Sequence, residues 1–284
     1  MSIIHAILLS LLQGAFELFP VSSLGHTVLV PAILGWNVKR SDPSFLAFIV
    51  VLHLGTATAL LIFFWRDWLS VISKALHSLQ VRRLSDDPDE HLAWLIVAGS
   101  IPAGIIGLAL KDPLNKLFDY PGLAATFLIV NGLVMLAGEK LRQRVLAEHE
   151  SQRTPLARLP FRDGFGVGAV QALALLPGFS RSGTSMVGGL LVRLHHIDAA
   201  KLSFMLATPL ILAAGVLTVP DLFASDANIG PGLALMGYII SGVTAFLAVK
   251  FLMRYFETER LDVFGYYCMA FGVFCLIVLG IQAL

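Results

Sequence analysis

Two stretches of the chain, Ile3 to Gly35 and Phe165 to Val192, are apolar enough for lipid, yet each is broken midway by polar residues. The first break reads Pro20-Val21-Ser22-Ser23-Leu24-Gly25-His26, with Glu17 just before it. The second reads Pro177-Gly178-Phe179-Ser180-Arg181-Ser182-Gly183-Thr184-Ser185. Backbone that leaves a helix inside a membrane frees amides that lipid cannot satisfy, so it must be enclosed by protein or line a water-filled cavity. Both breaks therefore have to face inward, surrounded by complete spans. Lipid as the main solvent agrees with a chain of 284 residues that is 57% hydrophobic and only 14% charged.

A spanning helix needs about 20 mostly apolar residues. Six runs qualify: Phe45 to Phe64, Leu92 to Leu110, Gly122 to Gly138, Leu202 to Val219, Gly232 to Val249 and Val263 to Ile281. Each half of a broken stretch reaches only about half-way across a bilayer, which predicts a re-entrant helical hairpin. The breaks also correspond, because Gln13 precedes Pro20 much as Gln171 precedes Pro177, and three long runs follow each. The expected architecture is an all-α polytopic membrane protein with a single membrane domain, 1–284. It comprises two repeats, 1–145 and 160–284, joined by a polar linker from Ala147 to Pro160. Each repeat is one hairpin plus three transmembrane helices, and an odd number of spans turns the second repeat upside down. Inverted repeats with broken helices are a recurrent transport-type design.

Of the 20 Lys and Arg residues, 15 fall on one side of these spans and 4 on the other (Lys39, Arg40, Lys111 and Lys116), while Arg181 lies inside a hairpin. The richer side is expected to be cytoplasmic. Both termini and the first hairpin's entrance then lie outside. No basic residue precedes Ile3 and no small-x-small motif follows this stretch, so it reads as part of the fold rather than a removable signal. The basic residues crowd into loops rather than onto one face, which argues against a nucleic-acid partner. Cys268 and Cys275 stand two turns apart on one run, too far for a disulfide.

The breaks carry the chemistry. Gln13 and Glu17 share a helix face, as do Ser23 and His26. Ser22 or Ser23 is placed to cap the returning half-helix, whose positive end favours a phosphate. In the second break, Gly183 lets backbone approach a ligand, and Ser180, Ser182, Thr184 and Ser185 supply hydroxyls. An arginine within the membrane is costly unless paired, and its planar fork matches phosphate oxygens. Plainer readings stand beside these: Glu17 could merely pair with Arg181, His26 and Ser22 could be structural caps, and Gln13 could bond nearby backbone. The joint occurrence of acid, base, hydroxyls and arginine at equivalent breaks exceeds what an ion pair needs. Outside the breaks, His53 reads as a membrane histidine bonding a neighbouring helix, and Trp65 and Trp68 beside Arg66 read as an interfacial belt. Asp86 to Glu90 reads as a solvated cytoplasmic loop, and Glu139 and Lys140 as an interfacial helix end with no special role.

The strings from Gln13 to His26 and from Pro177 to Gly183 resemble the undecaprenyl-diphosphate phosphatases of the bacitracin-resistance type, and the resemblance in length and span order covers essentially the whole chain. It implies hydrolysis of undecaprenyl diphosphate, the spent carrier of cell-wall synthesis, to the monophosphate in the bacterial inner membrane. Shorter polyprenyl diphosphates are further expected substrates, and a homodimer is left open. The resemblance places an acidic motif on Gln13 and Glu17, a serine-histidine motif on Ser23 and His26, and an arginine motif on Ser180, Arg181 and Ser182. It also implies a divalent metal, Mg2+ or Ca2+, held through Glu17 and Gln13. Many members have Glu where this chain has Gln13, and Thr where it has Ser185. The nucleophile stays open among Ser23, His26 and water. A carrier or flippase of polyprenyl phosphate or another anion is the alternative, since such folds transport. The phosphatidic-acid phosphatase pattern fails, because Val187 stands where it needs a histidine.

Overall fold

The computed structural model describes residues 2–36, 41–148, 154–218, 230–258 and 260–284, so residues 149–153 of the linker expected at 147–160 lie outside the described residues, as do Lys39 and Arg40. The described residues form helices joined by turns, with no strand among them. Chain order begins with two short helices, α1 (Ile3–Phe16) and α2 (Ser23–Ile33), followed by the long α3 (Pro43–Phe63). Next come α4 (Trp65–Val81), α5 (Pro88–Ala109), the one-turn α6 (Lys111–Lys116) and α7 (Pro121–Glu148). A second short pair, α8 (Phe161–Gln171) and α9 (Arg181–Leu191), precedes α10 (His196–Thr218), α11 (Pro231–Tyr255) and α12 (Asp262–Gln282).

The six expected spans are α3, α5, α7, α10, α11 and α12, each long and apolar enough to cross a bilayer. Their starts follow local chemistry. Asp42 caps α3 by accepting from the amide N–H groups of Ser44 and Phe45, and Pro43, Pro88 and Pro231 occupy first-turn positions where no N–H is needed. The short helices have 14, 11, 11 and 11 residues, or roughly 17 to 21 Å each, and none crosses the hydrocarbon alone. They pack inside the spans: α1 lies against α11, α8 against α5, and α9 against α7 and α10. α3 and α10 are the most enclosed spans. α11 and α12 turn Leu235, Ile239, Val243, Phe274 and Ile277 outward, as a lipid-facing surface requires.

Two parts of the surface depart from expectation. The run Asp86 to Glu90 is a built helix start: Asp87 caps α5, and buried Glu90 accepts from the Ser85 amide and hydroxyl at 2.7 Å. Glu139, expected to end a helix at the interface, is fully buried. It accepts from His196 Nε2 at 2.8 Å and from the Leu261 amide at 3.3 Å, with Arg260 Nε at 3.4 Å. One carboxylate thus pins α7 to α10 and to the turn between α11 and α12. Its sequence neighbourhood shows only the Arg142 guanidinium one turn along, 3.8 Å away; the His196, Leu261 and Arg260 partners all come from the other half of the chain. Trp65 is exposed with the Arg66 guanidinium 5.2 Å from its ring centroid, while Trp68 packs against the core.

Candidate active site

The first break begins where α1 ends and the chain turns through Glu17 to Val21. Ser22 caps α2, its Oγ accepting from the Gly25 amide at 3.0 Å, and its φ of 67° lies in the left-handed region that a serine rarely adopts. His26 Nδ1 donates to the Ser22 carbonyl at 2.7 Å, which holds that conformation from the other side. The second break leaves α8 through a short 3-10 turn, Ala172–Leu175, and bends at Gly178. There φ is 108° and a Cβ would lie 2.3 Å from the Ala124 carbonyl oxygen, so only glycine fits. Ser180 then caps α9 by accepting from the Gly183 amide at 3.1 Å.

Side chains lock the two breaks together. Asn131 of α7, fully buried, accepts from the Ser180 amide at 3.0 Å and donates to the Pro20 carbonyl at 3.4 Å. The Ser182 hydroxyl donates to the Phe19 carbonyl at 3.1 Å. These bonds bring Glu17 of one break against Arg181 of the other.

Glu17 is the hub of the site. Its Oε1 accepts from Arg181 Nε at 3.1 Å, and its Oε2 accepts from Ser23 Oγ at 2.5 Å, Gln13 Nε2 at 2.9 Å and His53 Nε2 at 3.1 Å. Arg181 also donates through one terminal nitrogen to the Ser203 carbonyl at 2.9 Å, while its other terminal nitrogen has no protein partner. His53 Nδ1 donates to the Ile49 carbonyl at 2.7 Å. With a carbonyl facing one nitrogen and a carboxylate facing the other, both ring nitrogens donate and His53 is an imidazolium. Two cations then face one carboxylate, and the site carries a net positive charge suited to an anion.

Not every expected residue converges. Ser182, Gly183, Thr184 and Ser185 are buried behind the site, where Thr184 donates to the Ser180 carbonyl at 2.9 Å and Ser185 to Ser203 Oγ at 2.7 Å. His26 is close in sequence to Ser23 but both its ring nitrogens are engaged elsewhere: Nδ1 on Ser22, and Nε2 accepting from the Tyr267 hydroxyl at 2.8 Å. Its ring is stacked on Phe271 and tilted against Phe16. His53, read from the sequence as bonding a neighbouring helix, does so on the acid of the site itself. Asn131 and Tyr267 were invisible from sequence, since a single polar residue on an apolar run carries no partner with it.

The expected metal pair does not match the donor set. Gln13 turns its N–H toward Glu17 and leaves its buried Oε1 without a protein partner, and the Glu17 carboxylate already takes four donors, three on Oε2 and one on Oε1. Among the described residues no three His, Cys, Asp or Glu side chains gather as a metal site would need. The residues present do not fit a divalent ion chelated by this protein.

A cavity of about 380 Å3 opens on this cluster. Glu17, Ser22, Ser23, His53, Ser180 and Arg181 form its polar end. Ile49 of α3, Ala103 and Gly104 of α5, and Leu210 and Ile211 of α10 form apolar walls that run to Lys111 and Asn115 on α6. A cationic, hydroxyl-bearing pocket reached along apolar walls, lined by three of the lipid-compatible spans, α3, α5 and α10, defines an integral membrane protein that handles an anionic group carried on an apolar body.

The chain belongs to the bacitracin resistance protein BacA family, whose pattern matches residues 6–274. It is 47% identical to the undecaprenyl-diphosphatase of Mycolicibacterium paratuberculosis, over 99% of both chains. It is 46% identical to undecaprenyl-diphosphatase 2 of Chromobacterium violaceum, over 96% of this chain and 97% of that one. Against the undecaprenyl-diphosphatase of Acidiphilium cryptum the identity is 44%, over 98% of both.

Proposed function

We propose that the protein is an integral membrane phosphatase that hydrolyses undecaprenyl diphosphate to undecaprenyl phosphate and inorganic phosphate. The observation that carries the reading is one carboxylate, Glu17, holding the Ser23 hydroxyl and the Arg181 guanidinium from opposite breaks at the polar end of an apolar-walled cavity. Splitting a phosphoanhydride asks mainly for positioning and for neutralisation of charge on the transferred phosphoryl group. Arg181 offers its unpartnered nitrogen to the phosphate oxygens, and His53 adds a second positive charge. Ser23 directs its O–H at Glu17, which leaves its lone pairs for the terminal phosphorus. Attack forms a seryl phosphate, passes the proton to Glu17 and breaks the bond to the bridging oxygen, so that undecaprenyl phosphate leaves. Water then attacks the phosphorus, the Ser23 Oγ–P bond breaks, and Glu17 returns its proton to Ser23 Oγ as inorganic phosphate leaves. His26, turned to Tyr267, orients the break through the Ser22 carbonyl.

The apolar walls suit a prenyl chain next to the diphosphate, so shorter polyprenyl diphosphates are substrates as well. The cavity's reach to Lys111 and Asn115, on the side poor in basic residues, supports an opening away from the cytoplasm in the bacterial inner membrane, with both termini on that outer face. The carrier is returned there for another round of cell-wall synthesis. Phosphate release from farnesyl or undecaprenyl diphosphate tests the reading. Arg181→Ala, Ser23→Ala and Glu17→Gln should each lose about 100- to 1,000-fold in kcat, and acid-quenched enzyme should carry phosphate on Ser23. Full turnover by the Arg181 variant would refute the site.

A further inference from the structure

Glu17 has the residue type and the place of a metal ligand, yet its surroundings are those of an acceptor already filled. We propose that Glu17 binds no divalent ion in this chain, and that His53 is a positioning residue which closes the Glu17 carboxylate so that Ser23 and Arg181 are held for reaction. This rests on the hydrolysis proposed above and names the means by which the same site supplies its charge.

Mg2+ demands six oxygen ligands and Ca2+ six to eight. The site offers one carboxylate and one unpartnered amide oxygen, Gln13 Oε1, short of that number, and the atoms nearest to the carboxylate are hydrogen-bond donors: Arg181 Nε, Gln13 Nε2, Ser23 Oγ and His53 Nε2. An ion entering at Oε2 would displace the Ser23 and His53 bonds and meet a guanidinium across the same carboxylate. Gln13 is decisive, because a carboxylate at that position would be a second ligand, whereas this amide donates its N–H to the first. The positive charge is already present in Arg181 and in His53.

His53 is built to hold its direction. It stands on α3, the most enclosed span, and its ring is anchored through Nδ1 to the Ile49 carbonyl at 2.7 Å, which aims Nε2 at Oε2. Ser23 donates to that same oxygen. Without His53 the carboxylate keeps Gln13 and Ser23 on Oε2 and Arg181 on Oε1, but loses its fixed plane, and the serine and arginine turn with it.

Full-length protein in detergent, stripped of divalent ions on a chelating resin, would be titrated with Mn2+ and free ion read by electron paramagnetic resonance, alongside Glu17→Gln. Superimposable titrations are expected; one Mn2+ per chain that the Glu17 variant loses would overturn the proposal. In a second arm, turnover of farnesyl diphosphate would be measured for His53→Leu and His53→Gln. His53→Leu should lower kcat about 10- to 100-fold with little change in KM. His53→Gln, which keeps an N–H donor at that place but carries no charge, should recover the part of the loss that comes from positioning, so that its kcat lies between those of wild type and His53→Leu. Wild-type kcat in the leucine variant, or equal impairment in both, would overturn the positioning role. Full turnover in Arg181→Ala would instead remove the hydrolytic site itself, an outcome on which the Mn2+ comparison does not depend.

Discussion

The crossing of α8 on α5 sets where the second break sits, and its tolerance can be worked out from one atom. At Gly168 an added Cβ would lie 1.8 Å from the Gly99 carbonyl oxygen and 2.8 Å from the Gly99 Cα, whereas real Cβ atoms essentially never come nearer than 3.0 Å. Both neighbours are backbone of a spanning helix, so no side chain can swing aside and the helices must separate. Overpacking of this kind costs about 1 to 3 kcal/mol or more, which lowers the melting temperature of a chain this size by roughly 3 to 10 °C. Because α8 leads directly into the break that presents Arg181, a displacement of about 1 Å there should also cut turnover about 100-fold. Gly166, two residues earlier on the same helix, meets nothing within 4 Å. Gly166→Ala should therefore gain roughly 0.5 to 1 kcal/mol from helix propensity alone. The assay is thermal unfolding in detergent followed by phosphate release, with the two alanine variants side by side. Equal melting temperatures for Gly168→Ala and Gly166→Ala would refute the backbone-contact argument.

Three further outcomes follow from named contacts. Arg181→Met leaves buried Glu17 with three donors in place of four and should destabilise by about 3 kcal/mol, while Glu17→Gln/Arg181→Met should recover at least about 1 kcal/mol of that loss; strict additivity in the double-mutant melting cycle would count against a coupled pair. Asn131→Leu removes the bridge between the Ser180 amide and the Pro20 carbonyl and should lower kcat about 10- to 100-fold, with an unchanged rate as the refuting result. At the start of α5, the Lys74 ammonium beside Asp87 holds that carboxyl below its ordinary range. The Asp87 contribution is therefore present above the ordinary carboxylate range and is lost as pH falls through the depressed value. Melting curves of wild type and Asp87→Asn should differ at neutral pH and converge in strong acid.

The membrane class and the six spans were legible in the sequence because length and apolarity are summed over about 20 residues, and such sums survive errors at any one position. The breaks were legible for a related reason: a cluster such as Ser180-Arg181-Ser182 inside an apolar stretch has no cheap structural explanation. The separate roles of the residues inside the breaks were not. Serine-histidine spacing suggested that Ser23 and His26 act together, but sharing a helix face says nothing about what the ring nitrogens meet on other helices. The long-range partners of His26, on α12, and of Glu17, on α3 and α9, set those contacts.

By itself the sequence determined that this chain lives in lipid, that two broken helices must be enclosed by spans, and that an arginine and an acid lie at those breaks. These follow from what each residue costs in hydrocarbon, a property that residues carry wherever the chain takes them. Only the tertiary structure decided that Glu17 is saturated by four donors, that His53 belongs to the site, that His26 turns to Tyr267, and that Glu139 is a buried pin. Each of these depends on a distance between helices far apart in sequence. Hydrogen bonding is directional and short in range, so its pattern exists only once packing has set those distances.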